Sequence, residues 1–235
     1  MNKIKFGTDG WRAIIAEEYT VNNVARVAVA TAKWVKEKYE NPKIVIGYDC
    51  RFAGLMFAET AAKIFVKEGI YVIFSTGFVS TPMVSLGVVK EKASLGVVIT
   101  ASHNPPSYNG FKLKGYFGGP LLPENVTEVE ALIPDTIDFD LSFLSLDSNL
   151  FVKKDLETLY VEHAQANFDF EAIKNSGLKF GYDAMYGAGQ NAVKRLLPDA
   201  TFLHAEYNPS VMGQAPEPID KNLQEFSKLI KESGN

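Results

Sequence analysis

The sequence predicts an α/β fold of one or two domains. Short apolar runs alternate along the chain with segments whose apolar residues recur at helical spacing. Its 235 residues, 46% of them hydrophobic and 22% charged, suffice for a core of ordinary size. The longest apolar runs, residues 70–74 and 95–99, fall well short of the roughly 20 residues that a bilayer requires. We therefore predict that these runs are buried strands.

Helices and strands alternate through the first part of the chain. Thr20 is a typical N-cap residue, Gly69 ends an amphipathic helix, and Pro82 lies at the favoured start of another helix. The predicted elements are a helix over 20–38, a strand over 43–48, a helix over 55–68, a strand over 70–75, a helix from 81, a strand over 95–100, a bend or hairpin around 110 and a short helix over 123–132.

Residues 134–150 differ in character, because Asp and Ser crowd a stretch of poor periodicity. We interpret this stretch as the connection between two domains, which cover residues 1–140 and 150–235. The elements predicted for the second domain are a helix over 155–168, a strand over 178–183, a helix over 190–197, a strand over 201–205 and a helix over 222–233.

The polar run T-A-S-H-N-P at residues 100–105 follows the apolar strand at 95–99. Ligands of open α/β sheets bind beyond the carboxyl ends of the strands, so Ser102 is a candidate nucleophile. The same residues are also explained by an ordinary turn, in which Ser102 and Asn104 bond to the local backbone and Pro105 and Pro106 end the strand. A serine hydrolase is disfavoured, since the sequence has no G-x-S-x-G elbow and Ser102 has no evident acid partner.

The serine run resembles the active-site loop of the α-D-phosphohexomutases, the phosphoglucomutases and phosphomannomutases, in which T-A-S-H-N-P precedes Y-N-G-F-K, here residues 108–112. The sequence F-G-T-D-G-W-R at 6–12 is similar to the family's F-G-T-x-G-x-R, and G-Y-D-C-R at 47–51 resembles its G-x-D-x-R turn. Residues 155–170, 182–189 and 216–218 are similar to its second domain. The resemblance implies three-layer α/β/α domains with mixed sheets, the first complete and the second truncated.

The resemblance implies phosphoryl transfer between hexose phosphates. A phosphoserine at Ser102 would donate its phosphoryl group, and a hexose 1,6-bisphosphate would form as intermediate and activator, so that a 1-phosphate and a 6-phosphate exchange. The residues implied for this chemistry are Ser102, Lys112 and His103 as catalytic groups, and Arg12, Asn104 and Thr8 as groups that bind phosphate or substrate.

The resemblance also implies Mg²⁺, held by the phosphate on Ser102 and by three aspartates of a D-G-D-G-D-R loop that we expect shortly after residue 234. The chain ends at Asn235. We therefore expect an amino-terminal portion with an incomplete metal site, inactive alone, because magnesium rarely stays on one ligand. The alternative is a non-catalytic fragment that at most binds a phosphosugar or a partner. An incomplete second domain also predicts self-association.

Several residues of these family-like segments have a structural alternative that the sequence leaves open. The alternatives are a surface ion pair of Arg12 with Asp9, a solvated strand position for Lys112 beside Lys114, a structural role for His103, a loop-ordering pair of Asp49 and Arg51, and a tight helix entry at residues 187–189.

Charge and cysteine content exclude some partners. A formal net charge of −4 without a Lys/Arg block gives no reason to expect nucleic acid or an anionic membrane. Cys50 is the only cysteine and no secretory signal is visible, so we predict a cytoplasmic protein without an internal disulfide. The sequence does not distinguish glucose, mannose and amino-sugar phosphates.

Overall fold

The computed structural model describes residues 3–7 and 10–233, and its first sheet has six strands. The strands are β1 Trp11–Ile14, β2 Lys43–Tyr48, β3 Tyr71–Ser75, β4 Leu95–Ile99, β5 Tyr108–Gly115 and β6 Phe151–Lys154. Their order across the sheet is β1-β5-β4-β2-β3-β6. The β5 strand is antiparallel to both of its neighbours and all other pairs are parallel, so the sheet is mixed, as predicted.

Helices cover both faces of this sheet. They are α1 Val21–Lys38, α2 Gly54–Lys67, α3 Thr81–Lys90, α4 Pro123–Ala131 and α5 Leu156–Asn167. Alternate residues of β2 point to opposite faces, so Ile44 and Ile46 join the core under α1 and α2, whereas Val45 joins the core under α3 and α5. Strands buried on both faces have continuous apolar sequences, which explains the apolar runs. The predicted three-layer arrangement is confirmed.

A smaller parallel sheet of two strands follows, with β7 at Gly181–Asp183 and β8 at Thr201–Leu203. The helices beside it are α6 Phe170–Lys174, α7 Gln190–Leu196 and α8 Gln224–Ser233. Helix α8 lies so close to β7 that a side-chain carbon added at Gly181 would overlap Cδ1 of Ile230. Short 3₁₀ turns cover Leu141–Phe143, Val211–Gly213 and Asp220–Asn222. Among the helices of the described residues, none is long and apolar enough to span a membrane.

Three features differ from the sequence prediction. The bend expected around Gly110 is wrong, because Gly110 lies inside β5 and the chain reverses direction at residues 100–107 instead. The strands β1 and β6 were not predicted. The stretch 134–150 runs along the first core, where Ile137 and Leu146 are partly buried. Because β6 pairs with β3, the first sheet extends past residue 150.

Candidate active site

The serine loop, residues 100–107, joins the carboxyl end of β4 to β5. Ser102 is exposed and has a left-handed backbone conformation with φ of 58°. Its Oγ lies 3.4 Å from Nδ1 of His103, which is also exposed. The Ser102 N–H donates a 3.0 Å hydrogen bond to the Thr100 hydroxyl. The loop thus presents a hydroxyl and an imidazole together at the end of a parallel strand.

A cleft of about 450 Å³ lies in front of the serine loop. Ser102 and His103 line one side of it, together with Ser80 and Thr81 at the start of α3. The turn after β7, residues 183–188, lines the other side. This volume falls within the range of small-molecule sites. The serine hydroxyl is therefore next to a space of suitable size for a phosphosugar.

The turn after β2 lies behind the serine loop. The Asp49 carboxylate accepts a hydrogen bond from the Thr100 hydroxyl, and the Arg51 guanidinium donates to main-chain carbonyl groups of the loop. Nε of Arg51 is 3.5 Å from Oδ2 of Asp49. Burial raises the pKa of Asp49, whereas the Thr100 hydroxyl, Arg51 and Lys112 act to lower it. This geometry agrees with a loop-ordering pair of Asp49 and Arg51.

Arg12 lies on the edge strand β1, opposite Gly110 of β5. Its Nη1 donates to Oδ1 of Asn104 across 2.8 Å, so two of the predicted binding residues are in contact. Thr8, a further predicted binding residue, and Asp9, the alternative partner of Arg12, lie outside the described residues. Arg12 and Asn104 are not among the described residues that line the cleft in front of Ser102.

Lys112 lies within β5, opposite Val98 of β4. Its side chain is only 4% exposed and that of Lys114 only 5%, so the solvated strand position is wrong. Gly10 approaches Lys112 so closely that a side-chain carbon at Gly10 would lie 2.8 Å from Cγ of Lys112. The amino-terminal F-G-T-D-G-W-R segment therefore contacts the lysine of the Y-N-G-F-K segment, far away in the sequence.

The predicted Mg²⁺ does not fit the described residues as they stand. Residues 3–7 and 10–233 contain no group of three or more His, Cys, Asp or Glu side chains that could hold a metal ion. Ser102 would contribute one ligand through a phosphate, whereas magnesium requires near-octahedral coordination by oxygen. Ser102 thus remains a predicted ligand without partners in this part of the chain.

The turn after β7 contains polar residues that the sequence interpretation missed. Asp183 Oδ1 lies 2.9 Å from Nδ1 of His204, and the His204 ring lies 4.8 Å from the ring of Tyr186. Met185, Tyr186 and His204 all have positive φ. A usable signal was present, since Asp183 ends β7 and His204 directly follows β8, where α/β sheets carry their sites.

Two family models match the chain. The model for phosphoglucomutase/phosphomannomutase α/β/α domain I matches residues 3–138. The model for α/β/α domain II of the same proteins matches residues 158–235. The chain belongs to the phosphoglucomutase/phosphomannomutase family. The predicted family is thereby confirmed.

Relatives within the phosphoglucomutase/phosphomannomutase family have several names. The chain is 32% identical over 234 residues to a phosphoglucomutase/phosphomannomutase of Thermococcus kodakarensis, covering 97% of this chain and 51% of that one. It is 34% identical over 224 residues to a phosphoglucosamine mutase of Delftia acidovorans, covering 94% and 48%. A Thermus thermophilus crystal structure, described as a phosphomannomutase, matches with a TM-score of 0.86 and 31% identity, covering 97% and 52%. The chain spans about half the length of the curated relatives it matches.

Membership in the phosphoglucomutase/phosphomannomutase family supports a phosphohexomutase class. The named relatives include mutases of glucose, mannose and glucosamine phosphates. The names of the relatives therefore agree on the class of reaction, a phosphohexose mutase reaction, but differ in the sugar.

Proposed function

We propose that this chain contributes the phosphoryl-carrying portion of a phosphohexomutase that interconverts hexose 1-phosphate and hexose 6-phosphate. One observation carries the proposal. Ser102 is exposed at the carboxyl end of β4, next to His103 and beside a cleft of about 450 Å³. A nucleophile that must accept and release a phosphoryl group needs both access and neighbouring groups that exchange protons.

The proposed reaction consists of two transfers. In the first, the bond between phosphorus and Ser102 Oγ breaks while phosphorus bonds to a hydroxyl oxygen of hexose 1-phosphate or 6-phosphate. That hydroxyl gives its proton to a base, Ser102 Oγ takes up a proton as it leaves, and hexose 1,6-bisphosphate forms and reorients. In the second transfer, the Ser102 hydroxyl gives its proton to a base as Oγ bonds to the other phosphorus, and the released sugar oxygen takes up a proton. The phosphoserine is regenerated, so the phosphate has changed position on the sugar.

The proposed roles of the neighbouring residues follow from their chemistry. His103, 3.4 Å from Ser102 Oγ, exchanges the proton of the reacting hydroxyl. Lys112 supplies positive charge, and its ammonium group also suits proton transfer. Arg12 and Asn104, joined by a hydrogen bond, bind phosphate oxygens together with Thr8. A guanidinium is apt for this task, because it grips phosphate with two parallel N–H groups.

Mg²⁺ is proposed for the complete enzyme, where it would offset charge on the phosphoryl oxygens. The proposed substrate is a hexose phosphate, with glucose, mannose and amino-sugar phosphates as the candidates. A cytoplasmic location is also proposed, from the single buried Cys50. The second candidate function is a non-catalytic chain that binds a phosphosugar at the same cleft. The same cleft of about 450 Å³ supports it, since a cleft of that size suits binding whether or not transfer follows.

Mass spectrometry of the chain after incubation with glucose 1,6-bisphosphate tests the proposal. We expect one phosphoryl group on the peptide that contains Ser102. The Ser102→Ala variant should take up none, whereas Ser107→Ala, which alters an exposed serine of the same loop, should behave as the unchanged chain. Equal incorporation in Ser102→Ala would contradict the proposed carrier. Binding of the bisphosphate without any transfer would favour the non-catalytic function.

A further inference from the structure

The Arg51 side chain donates four hydrogen bonds to main-chain carbonyl groups of the serine loop and of Tyr108, which follows it. Its Nη2 donates to the carbonyl oxygens of Ser102 and Asn104 at 2.9 Å and 2.5 Å. Its Nη1 donates to those of Pro105 and Tyr108 at 2.8 Å and 3.0 Å. The residue is only 5% exposed. The guanidinium therefore lies inside the curve of the loop and donates hydrogen bonds to carbonyl groups along most of the loop.

Asp49 acts on the other main-chain group of Ser102. The Thr100 hydroxyl donates its only proton to Asp49, which leaves its oxygen free to accept from the Ser102 N–H at 3.0 Å. Asp49 is itself held by the Arg51 N–H, which donates to Oδ1 across 3.0 Å. The N–H and the C=O of Ser102 are thus both fixed by one turn, residues 49–51.

These contacts bear on the backbone conformation of Ser102. A non-glycine residue with φ of 58° lies in a region that L-residues seldom occupy, and it remains there only where surrounding groups enforce it. We propose that Asp49 and Arg51 are positioning residues that hold Ser102 in this conformation and keep its hydroxyl directed away from the buried turn. The functional part of this inference rests on the proposed phosphoryl transfer at Ser102.

The chemistry of Arg51 makes it hard to replace. A guanidinium has five N–H donors in a fixed planar fork, whereas a lysine ammonium has three donors on a single nitrogen. Four carbonyl groups spread over residues 102–108 match the fork and not the single nitrogen. A positioning role therefore predicts that Arg51→Lys restores little of what Arg51→Ala removes.

Hydrogen exchange of the full chain tests the positioning pair directly. In Arg51→Ala, the amides of Ser102 and Asn104 should exchange faster by on the order of tenfold, and millimolar guanidinium should restore their protection. The matched control is Arg26→Ala. Arg26 is 6% exposed and donates to the Pro134 carbonyl at 2.6 Å, away from the serine loop. This control should leave loop exchange unchanged. Unchanged exchange in Arg51→Ala, or an equal increase in Arg26→Ala, would overturn the proposal.

Phosphoryl uptake from glucose 1,6-bisphosphate provides the functional measurement. A 1 Å misplacement of a reacting group costs roughly 100-fold in rate, so Arg51→Ala should lower the transfer rate at saturating bisphosphate by about that factor. The concentration for half-maximal rate should stay within about threefold of the unchanged chain, since the Arg51 guanidinium donates its N–H groups to carbonyl groups of the loop. A larger rise would show that Arg51, which also lines the cleft, contacts the ligand itself and would overturn the purely positioning role. An unchanged transfer rate would overturn the positioning role. If neither the unchanged chain nor Arg26→Ala takes up phosphate, the proposed function fails, and the exchange measurement alone decides the structural role of Arg51.

Discussion

Gly10→Ala is expected to destabilise the contact between the amino-terminal segment and Lys112. Gly10 has φ of 100°, a conformation that L side chains rarely adopt. A side-chain carbon there would lie 2.8 Å from Cγ of Lys112 and 2.8 Å from the carbonyl oxygen of Phe111. The lysine stem can move, but the carbonyl belongs to β5, which is hydrogen-bonded to a strand on each side and cannot shift freely. The substitution must therefore displace the segment or the strand.

The magnitude follows from two effects. An unfavourable backbone conformation at a non-glycine residue costs about 1–3 kcal/mol, and forced overlap in a packed region costs a similar amount. We expect a loss of about 2–6 kcal/mol, which for a chain of this size lowers Tm by roughly 4–24 °C. Gly7 provides a matched control in the same segment, because a carbon there would lie an ordinary 3.6 Å from the Gly10 carbonyl oxygen. Gly7→Ala should change stability by less than about 0.5 kcal/mol.

Urea unfolding of the two variants, followed by circular dichroism, measures this difference. Equal stability of Gly10→Ala and Gly7→Ala would refute the argument that Gly10 is required where the segment meets β5. A second measurement, phosphoryl uptake at Ser102, should also separate the variants. Only Gly10→Ala should displace Lys112, so only that variant should take up phosphate more slowly.

Three further predictions concern reactivity. Burial, and to a lesser extent the negative charge of Asp49, raises the pKa of the Cys50 thiol to about 12. Iodoacetamide at pH 8 should therefore alkylate this thiol only after unfolding. Lys112→Met should slow phosphoryl uptake about 100- to 1000-fold, whereas Lys114→Met, an equally buried change, should slow it less than about threefold. The chain alone should leave glucose 1-phosphate unconverted in a coupled assay, because it spans about half the length of its relatives. Turnover at enzyme-like rates would contradict this.

Helices and buried strands were predictable because their signals are local. The predicted strand over 43–48 coincides with β2, and the helix over 20–38 agrees with α1 within a residue at its start. The short edge strands were not predictable. Strand β1 has four residues, Trp11–Ile14, and forms because β5 offers a free edge. Gly110 suggested a bend. In the structure it allows β5 to lie close to the serine loop, because a side-chain carbon at Gly110 would lie 2.5 Å from the Thr100 carbonyl oxygen.

The candidate site residues came from family motifs, whereas their arrangement came only from the structure. The motifs nominated Ser102 and Lys112, and the structure places Lys112 on β5, the strand that is hydrogen-bonded to the β4 strand preceding the serine loop. Sequence spacing gave no indication that Arg51 would contact the serine loop, because residues 51 and 102 are brought together only by the parallel pairing of β2 with β4. The burial of Lys112 was also missed, because β5 lies between β1 and β4 and sequence spacing does not show which strands pair with it.

The proposed phosphate on Ser102 would lie in front of a cluster of charged residues. The Arg51 guanidinium lies 3.5 Å from the Asp49 carboxylate, and Arg12 is hydrogen-bonded to Asn104 of the same loop. Burial lowers the pKa of Arg51, the Asp49 carboxylate acts to raise it, and the positive charge of Arg12 acts to lower it. Lys112 adds a further positive charge that acts on Asp49. A phosphoserine carries a charge of about −1.5 to −2 at neutral pH, which these three cations attract and the Asp49 carboxylate repels. Because buried charges are poorly screened, the proposed function predicts that phosphorylation of Ser102 raises the Tm of the unchanged chain, and that this rise is smaller in Arg51→Ala.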